Sequence, residues 1–185
     1  MKKGIALITA SLLALTLTAC GSSNASSSSS KASKSTASSK VEKIKPSSST
    51  TFKNNVYESK KFKINITSTE FVQDINDKKA LFVKYTYTNK TNEPQTPSFV
   101  TAEFIHVKQD AGSTLKDLGN SGSFHVEDDQ TENAKLLATN GDEVKPGATV
   151  QTADMYPLET TGEITMHFAN INDYKDVGTL KLQVK

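Results

Sequence analysis

Arginine and tryptophan are absent from this 185-residue sequence, and cysteine occurs once. A lone thiol excludes an intrachain disulfide, so the fold must stand on its packing. Without arginine the chain lacks the planar, two-pronged donor that reads phosphate and guanine, which argues against nucleic acid as a partner. Aromatic residues are missing from the first 51 positions: all eight Phe and five Tyr lie from Phe52 onward. Between Gly21 and Thr51 the only large aliphatics are Val41 and Ile44 amid runs of serine, so that stretch cannot offset the entropy of ordering. Residues 20–51 are therefore expected to be a disordered Ser/Lys-rich tether. The 134 residues from Phe52 to Lys185 remain to build a core, enough for one compact domain and too few for a two-domain enzyme.

A membrane-spanning run is also missing. Lys2 and Lys3 precede an apolar stretch from Ile5 to Leu17, which has the length and flanks of an export signal over residues 1–19. The stretch ends in Leu17-Thr18-Ala19-Cys20-Gly21, which resembles the lipobox of bacterial lipoproteins. That resemblance implies cleavage before Cys20 and lipidation of its sulfur, with acyl chains such as palmitate. At about 0.8 kcal/mol per buried CH₂, two acyl chains anchor stably where one would be marginal. The expected location is the extracellular face of the cell membrane, tethered by lipid. A tether of this length has a root-mean-square reach of roughly 30 Å and an extended limit of about 105 Å. With Cys20 consumed, no thiol is left for a metal site or a nucleophile.

The formal net charge of +2 conceals an asymmetry. Five lysines against Glu42 make the tether +4, whereas fifteen lysines against nineteen acidic residues leave residues 52–185 at −4. An exported, acidic domain is a poor match to nucleic acid.

Period-two alternation marks strands in Phe62 to Thr67, Leu81 to Thr88, Ile164 to Phe168 and Leu180 to Lys185. Phe99 to Lys108 is rich in β-formers but alternates less cleanly, and Thr149 to Tyr156 follows Lys145-Pro146-Gly147, where Pro-Gly sets a tight turn. About seven strands and no helix are expected. The fold class is all-β: an antiparallel β-sandwich.

Phe62 to Ile66, Ala80 to Asn89, Val107-Lys108-Gln109, and Val144 to Val150 leading to Tyr156-Pro157-Leu158 together resemble a family of small immunoglobulin-like domains of unknown function carried by Gram-positive lipoproteins. The resemblance spans the domain and implies an immunoglobulin-like β-sandwich. Its motifs are structural rather than catalytic.

Catalytic and metal-binding patterns are sparse. His106, His125 and His167 fall on separate candidate strands without the close spacing of a zinc pair, so no metal site and no cofactor are expected. No Gly-x-Ser-x-Gly elbow or helical Ser-x-x-Lys set is present, and the serines of the tether cannot hold reacting atoms in place. Glu127, Asp128, Asp129 and Glu132 form the densest acidic patch and are the candidate binding residues, with a cationic partner or a weakly held divalent ion as the natural ligand. Tyr85 and Tyr87 share a strand face with Leu81 and Val83, which predicts a core role with hydroxyls near the rim. The expected function is that of a non-enzymatic envelope lipoprotein binding an extracellular protein or envelope component. The alternatives are an enzyme acting on wall polymer and an accessory solute-capture protein of a transporter.

Overall fold

The computed structural model describes residues 50–125 and 128–184. The expected signal segment, Cys20 and nearly all of the tether lie outside these residues, as does Glu127. Nine strands and two helices follow in the order β1 (Thr51–Lys53), β2 (Val56–Glu58), β3 (Phe62–Gln73), β4 (Lys79–Asn89), α1 (Pro97–Phe104), β5 (Ile105–Asp110), β6 (Leu115–Leu118), α2 (Glu132–Thr139), β7 (Thr149–Pro157), β8 (Ile164–Ala169) and β9 (Asp176–Leu182). They form two antiparallel sheets, one of five strands ordered β1-β2-β3-β4-β7 and one of four ordered β6-β5-β8-β9. The expected all-β sandwich is present.

The alternating strands place Ile64, Leu81, Val83, Val107, Ile164 and Met166 between the sheets, in one cluster with Tyr57, Phe62 and Phe168. Strand β4 is buried on both faces. Its outward Ala80 and Phe82 join Ala153 and Met155 of β7 in a second small cluster, against which Phe124, Leu136 and Leu137 pack. This cluster explains why α2 exists where no helix was expected. Thr131 caps the helix by accepting a hydrogen bond from the Ala134 amide, good helix formers follow, and Leu136 and Leu137 face Phe82.

The second departure is α1, which takes the first half of the β-rich stretch from Phe99 to Lys108. Pro97 sits in the first helical turn, and the buried residues Pro97, Val100, Thr101 and Phe104 recur at helical spacing. β-Branched composition had masked that period. The extra strands are short. Asn54 and Asn55, both in the left-handed region with φ of 52° and 62°, form the two-residue turn joining β1 to β2. The fold also begins ahead of Phe52, since Thr50 is buried and its hydroxyl accepts from the Ile171 amide.

The expected Pro-Gly turn is present, and two buried polar side chains fix other loops. Pro146 and Gly147 occupy the centre of a turn closed by the Ala148 amide on the Lys145 carbonyl at 3.0 Å, with Gly147 at φ 73°. Asp74 accepts the amides of Asn76 and Lys78, each at 2.9 Å, and so pins the β3–β4 turn. Fully buried Gln109 does the same for the β7–β8 loop, accepting the Glu159 and Thr160 amides and donating to the Thr160 carbonyl.

Candidate functional site

Strand β7 carries an anomaly. Asp154 pairs with Val83 and therefore faces the space between the sheets, where it is 2% exposed. Four side chains from four parts of the chain donate to it. Asn140, just past α2, reaches Oδ1 at 2.6 Å; Thr101 of α1 reaches the same oxygen at 3.3 Å; Asn120, after β6, also donates to Oδ1; and the Tyr156 hydroxyl donates to Oδ2 at 3.3 Å. Tyr85 of β4 joins through Asn140, donating to its Oδ1 at 2.9 Å. Burial pushes the Asp154 carboxyl up to about 6, against the pull of its hydrogen bonds to Asn140, Asn120, Thr101 and Tyr156. Burial and the neighbouring Asp154 charge also hold the Tyr85 and Tyr156 hydroxyls well above the ordinary phenol range.

Asn120 has a second task. Its Oδ1 accepts the Met155 amide at 3.1 Å, and the Gly122 amide donates to the Met155 carbonyl at 3.1 Å, so this segment covers part of the β7 edge. A groove of about 450 Å³ opens beside this junction, between α1 and the β5–β6 pair. Asn120 and Tyr156 form its polar wall, while Phe99, Ala102, Ile105 and Leu118 supply apolar surface. Phe99 is 76% exposed although Pro97, Val100 and Phe104 of the same helix are buried.

The acidic residues singled out from the sequence are arranged differently. Asp128 and Asp129 lie in the turn leading to α2, and Glu132 is exposed in the first helical turn, where a negative charge complements the helix dipole. Glu127 lies outside the described residues. Among the described residues no three His, Cys, Asp or Glu side chains come together in a way that could hold a metal ion. Of the histidines, His106 and His167 are brought opposite each other across β5 and β8, and His167 Nδ1 meets Asp176 Oδ2 at 2.7 Å. His125 stands apart, 3.5 Å from Asp77. Tyr85 and Tyr87 are both buried in the core, as alternation predicted; their hydroxyls are internal rather than at the rim, and that of Tyr87 has no hydrogen-bond partner among the described residues.

Asp154 was missed as a site residue. Its signal is nonetheless in the sequence, because alternation in Thr149 to Tyr156 puts an acidic residue on the same face as Tyr156 in a strand expected to be half-buried. Among the described residues no helix is long and apolar enough to cross a membrane.

Residues 25–170 match the family described as "Domain of unknown function (DUF5067)". No curated protein matches the chain in sequence. Two solved structures share its fold. A candidate lipoprotein from Staphylococcus aureus superposes with a TM-score of 0.63 at 22% identity, covering 73% of this chain and 92% of that one. A protein from Enterococcus faecalis, solved by NMR, superposes with a TM-score of 0.61 at 17% identity, covering 74% and 94%.

Proposed function

The chain belongs to this DUF5067 domain family, and from that premise we propose that it is a non-enzymatic cell-envelope lipoprotein. A lipid on Cys20 holds it at the extracellular face, and an immunoglobulin-like β-sandwich binds an extracellular protein or envelope component. The lipobox-like Leu17 to Gly21 and the lipoprotein description of the Staphylococcus aureus neighbour support the anchor.

The observation that carries the binding surface is the groove between α1 and the β5–β6 pair, with Phe99 exposed at its lip. A large aromatic ring in water beside apolar surface and a few directed polar groups is the composition of a recognition site. A non-catalytic role is supported by the placement of Asp154, which is buried behind Asn120 and Tyr156 and does not line the groove, out of reach of a substrate proton. The groove's volume also favours a second reading, capture of a small solute for a transporter.

Two experiments test the reading. Cys20→Ala is expected to shift the protein from the detergent-partitioning fraction to the soluble or precursor pool, and retention in the mature lipidated fraction refutes the anchor. A photo-crosslinking residue at position 99 is expected to trap an envelope partner on intact cells. Crosslinks from position 129 with none from position 99 would return the binding surface to the acidic turn.

A further inference from the structure

We propose that the groove between α1 and the β5–β6 pair receives a positively charged group, an ammonium or guanidinium carried on an aliphatic stem. This deepens the binding role proposed above and rests on the groove being the binding surface. The first support is the sign of the charge around it. The domain carries fifteen lysines, yet no lysine is among the described residues lining the groove, where the ionisable side chains are His106, Asp117 and Tyr156. Asp117 meets Lys108 at 3.3 Å, so that exposed pair adds little net charge at the rim and the sign is left to the group behind the wall.

The second support is Asp154. Its donors are all neutral, and none of the ion pairs among the described residues includes it. The buried charge thus has no counter-ion. It stands one side chain behind the groove, because Asn120 and Tyr156 both bond to the carboxylate and line the groove wall. A charge in protein interior acts over that distance with little screening, and a cation in the groove is its nearest available complement. An anion would meet the field of Asp154 behind the wall.

The third support is the shape of the remaining surface. Phe99 offers an exposed ring face for a cation, and Ala102, Ile105 and Leu118 offer apolar surface for a methylene stem.

The site is also pH-dependent. Asp154 is faced by Thr101 from α1, Asn120 from the loop after β6, Asn140 after α2, Tyr85 from β4 and Tyr156 from β7. Of these only the tyrosines ionise, and both do so well above the ordinary phenol range. Protonating Asp154 removes the attraction. His106 also lines the groove and carries an ionisable ring, so the titration is repeated in a His106→Gln background.

The test is an NMR titration of the ¹⁵N-labelled full chain with n-butylammonium, n-butylguanidinium and butyrate, and with a Lys-rich decapeptide. Saturable shifts are expected at Phe99, Ala102 and Gly119 with the cations, and at least tenfold weaker binding of butyrate. Cation affinity is expected to fall about tenfold in Asp154→Asn, in Phe99→Ala, and on going from pH 7.5 to pH 5 in His106→Gln. Phe99→Ala alters an exposed side chain, so it remains informative should Asp154→Asn fold poorly. A decapeptide binding far more tightly than the free amines identifies a polypeptide source, and equal affinity per charge identifies a small amine. Equal binding of butyrate and butylammonium, or unchanged cation affinity in both variants, overturns the inference. If cations fail while the photo-crosslinking residue at position 99 still traps an envelope partner, the groove remains the binding surface and only its charge preference falls.

Discussion

Replacing Asp154 by Asn keeps the shape of the side chain and removes its titration, which makes the energetic consequence of the buried charge measurable. Folded Asp154 holds its proton up to about pH 6, whereas its ordinary value is 3.8. The folded state therefore binds the proton more tightly than the unfolded chain. This contribution is fully present below the unfolded value and is lost as pH rises through the folded one. Two pKa units at about 1.4 kcal/mol each amount to about 3 kcal/mol lost between pH 3 and pH 7. For a domain of this size that is on the order of 10 °C in Tm. Other carboxylates contribute too, but they cancel when the pH dependence of Asp154→Asn is subtracted from that of the parent chain. Urea denaturation at pH 4 and pH 7 should yield a double difference of about 2–3 kcal/mol, the parent gaining more from acidification than the variant. A double difference near zero refutes the reasoning, because it would mean that water reaches the carboxylate or that an unseen cation balances it.

Other outcomes follow from geometry. Gly162→Ala is expected to cost about 3 kcal/mol or more by thermal denaturation, because its Cβ would stand 2.1 Å from the Asp110 carbonyl oxygen, a backbone atom that cannot step aside. Phe52→Ala is expected to lose about 2 kcal/mol through removal of a ring stacked 3.8 Å from Phe168, and no change in Tm would contradict that packing. Neutralising Glu127, Asp128 and Asp129 together is expected to move Tm by no more than about 2 °C, since the Asp128 and Asp129 side chains form no hydrogen bond among the described residues and exposed substitutions cost little.

Alternation made the long strands legible because β3, β8 and the inner face of β4 bury one side chain in two, and period two survives wherever that holds. It failed where burial is double-sided. Phe82 and Met155 face a second cluster that exists only because α2 lies over them, and nothing local in Leu81 to Thr88 announces a helix fifty residues later. The helix α1 was hidden for another reason: Val100, Thr101 and Phe104 favour strands by composition, and only their spacing after Pro97 marks a helix. The candidate site was less legible still. Lipobox and acidic patch are contiguous in sequence and so were visible, whereas the Asp154 cluster joins Tyr85, Thr101, Asn120, Asn140 and Tyr156 across seventy residues. Each of those positions reads alone as an ordinary strand, helix or loop residue.

The three residues of β1 have a mechanical meaning. They hydrogen-bond within the five-stranded sheet through β2, while Phe52 lies over Phe168 and Gly178 of the four-stranded sheet. The segment through which an anchored chain enters its domain thus fastens both layers at once. A force applied at Thr50 against a partner held in the groove would load this short hairpin strand first, and its few bonds would open in sequence, as in a zipper, rather than together. The entry strand would then act as a fuse, yielding before the longer β3–β4 and β4–β7 pairings that hold Asp154.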